Sequence, residues 1–189
     1  MKYYDRTELR KLKIQARNNL SPAEREKFSK QIVEQILGSK EFQHASTIML
    51  YRAIKGEVRL GALETAAHAL GKTLVYPLCI SKNEMIALLP NGENAWKSGF
   101  YDIEEPILEQ STQIAPEDID MVICPCTVFD EQGGRMGMGA GFYDRFLEKC
   151  HHVCIAAVAF EVQKAEHVPM ETWDKEMDVI FTEKAAYRK

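Results

Sequence analysis

Apolar positions along the chain follow two rhythms. Over residues 5–19 they recur at helical spacing, with Leu9, Leu12, Ala16 and Leu20 on one stripe. A second stripe on the same segment is basic: Arg6, Arg10, Lys13 and Arg17. At 3.6 residues per turn it lies roughly 80° round from the apolar stripe. If the apolar stripe packs on the body, these cations lie at the seam, within reach of an adjoining cleft. Ser21-Pro22-Ala23-Glu24 opens a second helix with an N-cap, a proline at the first helical position and a capping-box glutamate. Phe28, Ile32, Val33, Ile36 and Leu37 form its apolar face, and Gly38 ends it.

Beyond residue 46 short apolar runs alternate with helical segments. Strands are expected at 47–51, 73–76 (closing at Pro77), 85–89 (an edge hairpin partner), 120–124 (stopped by Pro125), 153–159 and 179–182. Helices are expected at 60–70, ending at Gly71, and at 141–150. Residues 91–118, with Gly92, Gly99, Pro106 and Pro116, read as loop. Strand and helix in alternation imply an α/β fold: a three-layer α/β/α arrangement on a mostly parallel open sheet, Rossmann-like. No repeat or linker divides the chain, so residues 1–189 are expected to form one domain.

An apolar content of 46% with 28% charged residues excludes disorder as the main state. No apolar run approaches the roughly 20 residues of a membrane span. Residues 1–6 lead into a charged helix without an apolar leader, so a cytoplasmic protein without membrane partners is expected. The net charge of −4 argues against a nucleic-acid partner. The charge is uneven: residues 1–30 carry nine basic and four acidic residues, net +5, which leaves −9 on the remainder. Five cysteines are present. Cys124-Pro-Cys126 is not a C-x-x-C pair, and the Cys150-His151-His152-Cys154 cluster fits no common zinc spacing, so the cysteines read as structural.

The informative stretch is residues 129–145, FDEQGGRMGMGAGFYDR, between a strand and a helix. Its glycines at 133, 134, 137, 139 and 141 let backbone approach a ligand, and successive free N–H groups can cradle phosphate. Arg135 adds a forked cation, and Asp144 falls in the first turn of the following helix. No Gly-Lys-Ser/Thr follows, and the last glycine spacing is wrong for a dinucleotide fingerprint.

Gly133 to Asp144 resembles the G-x-R-L-G-x-G-x-G-Y-Y-D signature of the 5-formyltetrahydrofolate cyclo-ligase (methenyltetrahydrofolate synthetase) family. Weaker pieces follow in the family's order: Arg6-x-x-Leu9-Arg10, Tyr51 through Glu57, Asp102-Ile-Glu-Glu-Pro106, and Trp173-Asp174 with Met177-Asp178-Val-Ile-Phe-Thr-Glu183. Arg6 replaces the family's usual lysine, and Phe142 replaces the first tyrosine of the Tyr-Tyr pair. The resemblance implies ATP- and Mg2+-dependent conversion of 5-formyltetrahydrofolate to 5,10-methenyltetrahydrofolate by a monomer. It implies ATP binding by Arg6, Arg10, Arg135, Met136, Gly137, Met138, Gly139, Ala140, Gly141, Phe142 and Tyr143. It implies binding of the reduced folate by Arg52, Glu57 and residues 138–142, and Mg2+ binding by Asp144 and Asp178. On this reading Arg135→Ala weakens ATP use and leaves the fold intact.

Two other readings keep the phosphate loop. One is a sugar-phosphate isomerase or coenzyme A transferase on a related fold. The other is a folate- or nucleotide-binding regulator without turnover. The first leaves the basic N-terminal stripe unexplained; the second differs by the absence of ADP release.

Overall fold

The structure, a computed structural model, describes residues 5–54, 56–99 and 104–189. Asp102 and Ile103 of the fourth motif and Lys55 of the Tyr51–Glu57 segment lie outside the described residues.

An eight-stranded sheet forms the middle layer, in the order β12-β11-β10-β7-β1-β2-β3-β6. Its centre is parallel: β2 (Thr73–Cys79), β1 (Thr47–Met49), β7 (Met121–Pro125), β10 (Cys154–Val158) and β11 (Val179–Phe181). Antiparallel strands extend both edges: β3 (Met85–Pro90) and β6 (Ser111–Ile114) beyond β2, and β12 (Ala186–Arg188) beyond β11.

The period-2 pattern of each strand sorts its side chains between two cores. Ile48, Leu74, Ile123 and Val158 face α2 (Pro22–Leu37), α3 (Lys40–His44) and α4 (Gly61–Ala69), which contribute Ile32, Ile36, Phe42 and Leu63. Met49, Val75, Val122, Cys124 and Ile180 face the other way, against Phe146 and Leu147 of α5 (Phe142–Leu147). This is the expected three-layer α/β/α arrangement.

The chain leaves β1 towards β2 on one side and returns through β7 on the other. The C-terminal ends of β1 and β7 therefore form a switch point, where a crevice opens in an open α/β sheet. Pro77 widens it. β2 does not stop at this proline as the sequence suggested, because β3 goes on pairing as far as Cys79. The parallel ladder with β1 does stop: after the Leu50 N–H to Val75 carbonyl bond of 2.9 Å, the next donor would be the N–H that Pro77 lacks.

Several elements depart from the sequence expectation. The stretch read as loop holds β6 and a hairpin of β4 (Trp96–Ser98) and β5 (Glu104–Pro106). The loop with the glycines begins as another hairpin, β8 (Val128–Phe129) with β9 (Arg135–Met136). α1 (Arg6–Asn18) starts as expected, with the Asp5 side chain accepting from the Glu8 N–H at 2.8 Å, but it docks differently. Leu9 is buried while Leu12 is 43% exposed, and Arg17 is buried at 3%. The surface under α1 presents carbonyl oxygens, so its cations make the contact. Arg6 donates to the Pro169 carbonyl at 2.6 Å, Arg10 to Gly137 at 3.0 Å, and Lys13 to the Val162 and Lys164 carbonyls. Among the described residues no helix is long and apolar enough to cross a membrane.

Candidate active site

A cleft of about 1020 Å3 opens at the switch point. That is at the upper end of the roughly 300–1,000 Å3 usual for one small molecule, and it suits two co-substrates. One wall is residues 135–145, the opposite wall is the chain following β1, and α1 with residues 171–174 closes one end.

The glycine segment divides into a structural half and an open half. Gly133 and Gly134 complete the β8–β9 turn. Asp130, 2% exposed, accepts from the N–H groups of Gly134 at 2.8 Å and Gln132 at 3.0 Å, and from Val168 at 2.7 Å. A Cβ on Gly133 would stand 2.7 Å from the Met177 carbonyl oxygen. These two glycines serve packing. Residues 137–144 are different. Their N–H groups donate to no other group among the described residues, while Gly139 and Gly141 hold positive φ of 105° and 68°. Such a run of unclaimed donors is what an oxyanion takes up.

Arg135 was expected to bind ATP from this loop. The structure buries it to 3% and commits it to the protein, donating to Asp144 Oδ1 at 3.1 Å and the Pro125 carbonyl at 3.2 Å. It lines the cleft, yet its first effect is to hold Asp144. Two further cations reach the cleft from α1. Arg10 covers Gly139, with its guanidinium carbon 3.5 Å from where a Cβ there would stand. Arg6 pairs with Asp174 at 2.5 Å.

On the opposite wall Arg52 is locked in a box. It donates to Glu64 at 2.6 Å and lies over the rings of Trp96 and Tyr76, 4.3 and 4.8 Å from their centroids. The Tyr76 hydroxyl donates to the same glutamate at 2.7 Å. Glu57 is held by the Ile54 N–H at 3.1 Å and by Arg17 at 4.0 Å. Burial pushes the Glu57 carboxyl above its ordinary range, against the pull of the Ile54 N–H and Arg17. The same cause raises the phenols of Tyr51 and Tyr143 well above theirs and lifts the Cys126 thiol to about 12.

Of the expected site residues, Arg6, Arg10, Arg52, Glu57 and the whole of 135–144 line this one cleft. Asp178 does not. It lies at the N-terminal end of β11, where Oδ2 accepts from the Ile155 N–H at 2.7 Å. Asp120 does the same two strands over, accepting from Ser46 and Thr47 at 2.8 Å. Both tie off strand entries at the edge of the sheet opposite the cleft. The fold therefore does not bring Asp178 and Asp144 together as a metal pair. Asp144 alone of the two faces the cleft, with both of its hydrogen bonds on Oδ1.

The sequence placed Asp174 and Trp173 in the closing motif and Arg17 in the basic stripe, but none of them among the site residues. Trp173 is 60% exposed at the cleft mouth. The signal for Asp174 was present, since the closing motif contains two aspartates; the nearer one to the cleft is the first. Arg17 was visible only as part of a stripe.

The family model for the 5-formyltetrahydrofolate cyclo-ligase family matches residues 2–183. The chain belongs to that family. Its curated relatives include the 5-formyltetrahydrofolate cyclo-ligase of Haemophilus influenzae, 29% identical over 89% of this chain and 90% of its own. The Escherichia coli K12 cyclo-ligase is 26% identical over 89% of this chain and 94% of its own. Among solved structures, the 5,10-methenyltetrahydrofolate synthetase of Aquifex aeolicus superposes with a TM-score of 0.84 at 32% identity, covering 96% of this chain and 91% of its own. Membership places this protein among the cyclo-ligases, and the cleft at the switch point is its candidate active site.

Proposed function

We propose that the protein converts 5-formyltetrahydrofolate to 5,10-methenyltetrahydrofolate with ATP, releasing ADP and phosphate. One observation carries the reading beyond family membership. The unclaimed N–H run of residues 137–144, flanked by Arg6 and Arg10, shares a single cleft with the separate polar wall of Arg52 and Glu57. A triphosphate suits the first wall and a reduced pterin the second.

The chemical difficulty is a formamide oxygen that cannot leave as hydroxide. Transfer of the γ-phosphoryl group to that oxygen makes it a phosphate. N10 of the same molecule then attacks the activated carbon, the C–O bond breaks, and the N10 proton is released. Attack within one molecule removes the entropic cost of capturing a second reactant. The protein's part is alignment and charge neutralisation. Backbone donors of 137–144 and the guanidinium groups of Arg6 and Arg10 hold the phosphates. Glu57 accepts from an N–H of the pterin, and the Arg52 box sets the wall beside it.

The residues fit Mg2+ in one respect: Asp144 offers a carboxylate whose Oδ2 makes no hydrogen bond among the described residues. Mg2+ takes few protein carboxylates when phosphates and waters complete its shell, so Asp144 would hold it without Asp178. Bound with the triphosphate, Mg2+ neutralises charge on the phosphoryl group in transfer.

The test is a turnover assay following the near-ultraviolet band of the methenyl product. A rise that requires both ATP and Mg2+ is expected. Folded protein that gives no rise beside an active control overturns the proposal.

A further inference from the structure

Arg17 is an anomaly that the mechanism above does not use. It is a guanidinium 3% exposed, and its Nε and Nη1 find no hydrogen-bond partner among the described residues. A buried cation left without hydrogen bonds is costly, and among the described residues its one nearby opposite charge is Glu57, 4.0 Å away. Glu57 is itself largely shielded, with its side chain 9% exposed. The chain between β1 and α4 is shaped to bring the two together. Gly56 takes φ +85°, and a Cβ there would stand 3.3 Å from Arg17 Nε and 3.1 Å from Asn18 Oδ1. Glycine thus lets this turn lie down on α1.

We infer that Arg17 is the positioning residue for Glu57, holding its side chain as an oriented carboxylate at the folate wall of the cleft. Arg17 does not line that cleft and acts only through Glu57. Among the described residues the groups facing Glu57 are few. Tyr51 comes from the end of β1, Tyr143 from α5 and Cys126 from the end of β7, all neutral near pH 7. Arg25 and Arg59 share a neighbouring cavity with Glu57, Arg59 exposed and Arg25 partly so. Arg17 is the buried countercharge. Without it, desolvation protonates the carboxyl at higher pH and converts an acceptor into a donor. Arg17 also stands on the helix that carries Arg6 and Arg10, eleven residues or about 16 Å from Arg6 at 1.5 Å per residue. One rigid element thereby supports both walls.

The inference rests on the proposed function for the contact between Glu57 and folate, and the experiment separates the two. Free protein carrying 13C-carboxyl glutamate is titrated by NMR, with Glu57 assigned by its loss in Glu57→Gln. Arg17→Met is expected to raise the Glu57 midpoint by about 1–3 pH units, the usual effect of losing an opposite charge at this range. Arg17→Lys is expected to restore most of the shift. The acid-side rise in KM for 5-formyltetrahydrofolate should move by the same interval, with KM for ATP unchanged. An unmoved Glu57 midpoint in Arg17→Met overturns the inference. If the midpoint moves but Glu57→Gln leaves the folate KM unchanged, the pairing stands and the folate contact falls. Should Arg17→Met not fold, adding Glu57→Gln removes the stranded charge and restores folding; a double variant that stays unfolded overturns the pairing.

Discussion

Replacing Arg135 with methionine keeps an unbranched apolar stem and removes the charge. The sequence motif leads one to expect lost ATP use on an intact fold; the structure leads to a different expectation. Arg135 is 3% exposed and spans Asp144 at 3.1 Å and the Pro125 carbonyl at 3.2 Å. Removing one member of a buried pair costs about 3–5 kcal/mol, because the other charge is stranded. Asp144 keeps 15% side-chain exposure and the Lys175 N–H at 3.3 Å, which favours the lower end, about 3 kcal/mol. For a protein of 150–250 residues each kcal/mol shifts Tm by about 2–4 °C, so a fall of about 6–12 °C is expected. Circular-dichroism melts of Arg135→Met, Asp144→Asn and the double variant measure it. The double variant should recover part of the loss, with a coupling of about 2 kcal/mol, within the range for residues in one network. A Tm within about 2 °C of the parent, or strictly additive losses, would show that Arg135 and Asp144 do not depend on each other.

Arg6→Ala should raise KM for ATP about tenfold, the loss of one charge-assisted bond, and leave KM for folate unchanged; equal changes in both would remove Arg6 from the phosphate wall. Gly139→Ala should lower kcat/KM for ATP because φ is 105° there, whereas Gly61→Ala, with nothing within 4 Å of the new Cβ, should stabilise by about 0.4–1 kcal/mol in urea titrations. Leu63→Ala, at a fully buried position under the sheet, should cost about 2–5 kcal/mol by the same measurement. Of the cysteines, exposed Cys79 should react first with a thiol reagent at pH 8 and be protected by ligand in the cleft it lines. Cys124 and Cys126, their thiols lifted to about 12 by burial, should react only on unfolding.

The central parallel strands were legible because their apolar runs are bounded by glycine and proline, and the capped start of α2 was legible from four residues. The polar edge strand β6 was not, since Ser111-Thr112-Gln113-Ile114 carries no buried face to print a pattern. α1 misled in an instructive way: Leu12 belongs to the apolar stripe yet is 43% exposed, because carbonyl groups of the body select the basic side of the helix. Local spacing cannot report what the partner surface offers. The same limit explains Asp178. A carboxylate before a strand has the same sequence appearance whether it ties off a neighbouring strand or faces a ligand, and only the register of β10 against β11 decides.

The docking of α1 also sets where the chain can tolerate replacement. Arg6, Arg10 and Lys13 reach for main-chain oxygens at residues 169, 137, 162 and 164. Every amino acid carries that oxygen, so most exchanges at the receiving positions leave the attachment in place wherever the backbone path survives. A neutral residue at any of the three donors breaks a link. A saturation library would show this one-sidedness directly: a helix intolerant along one stripe, facing a surface whose own identities scarcely register.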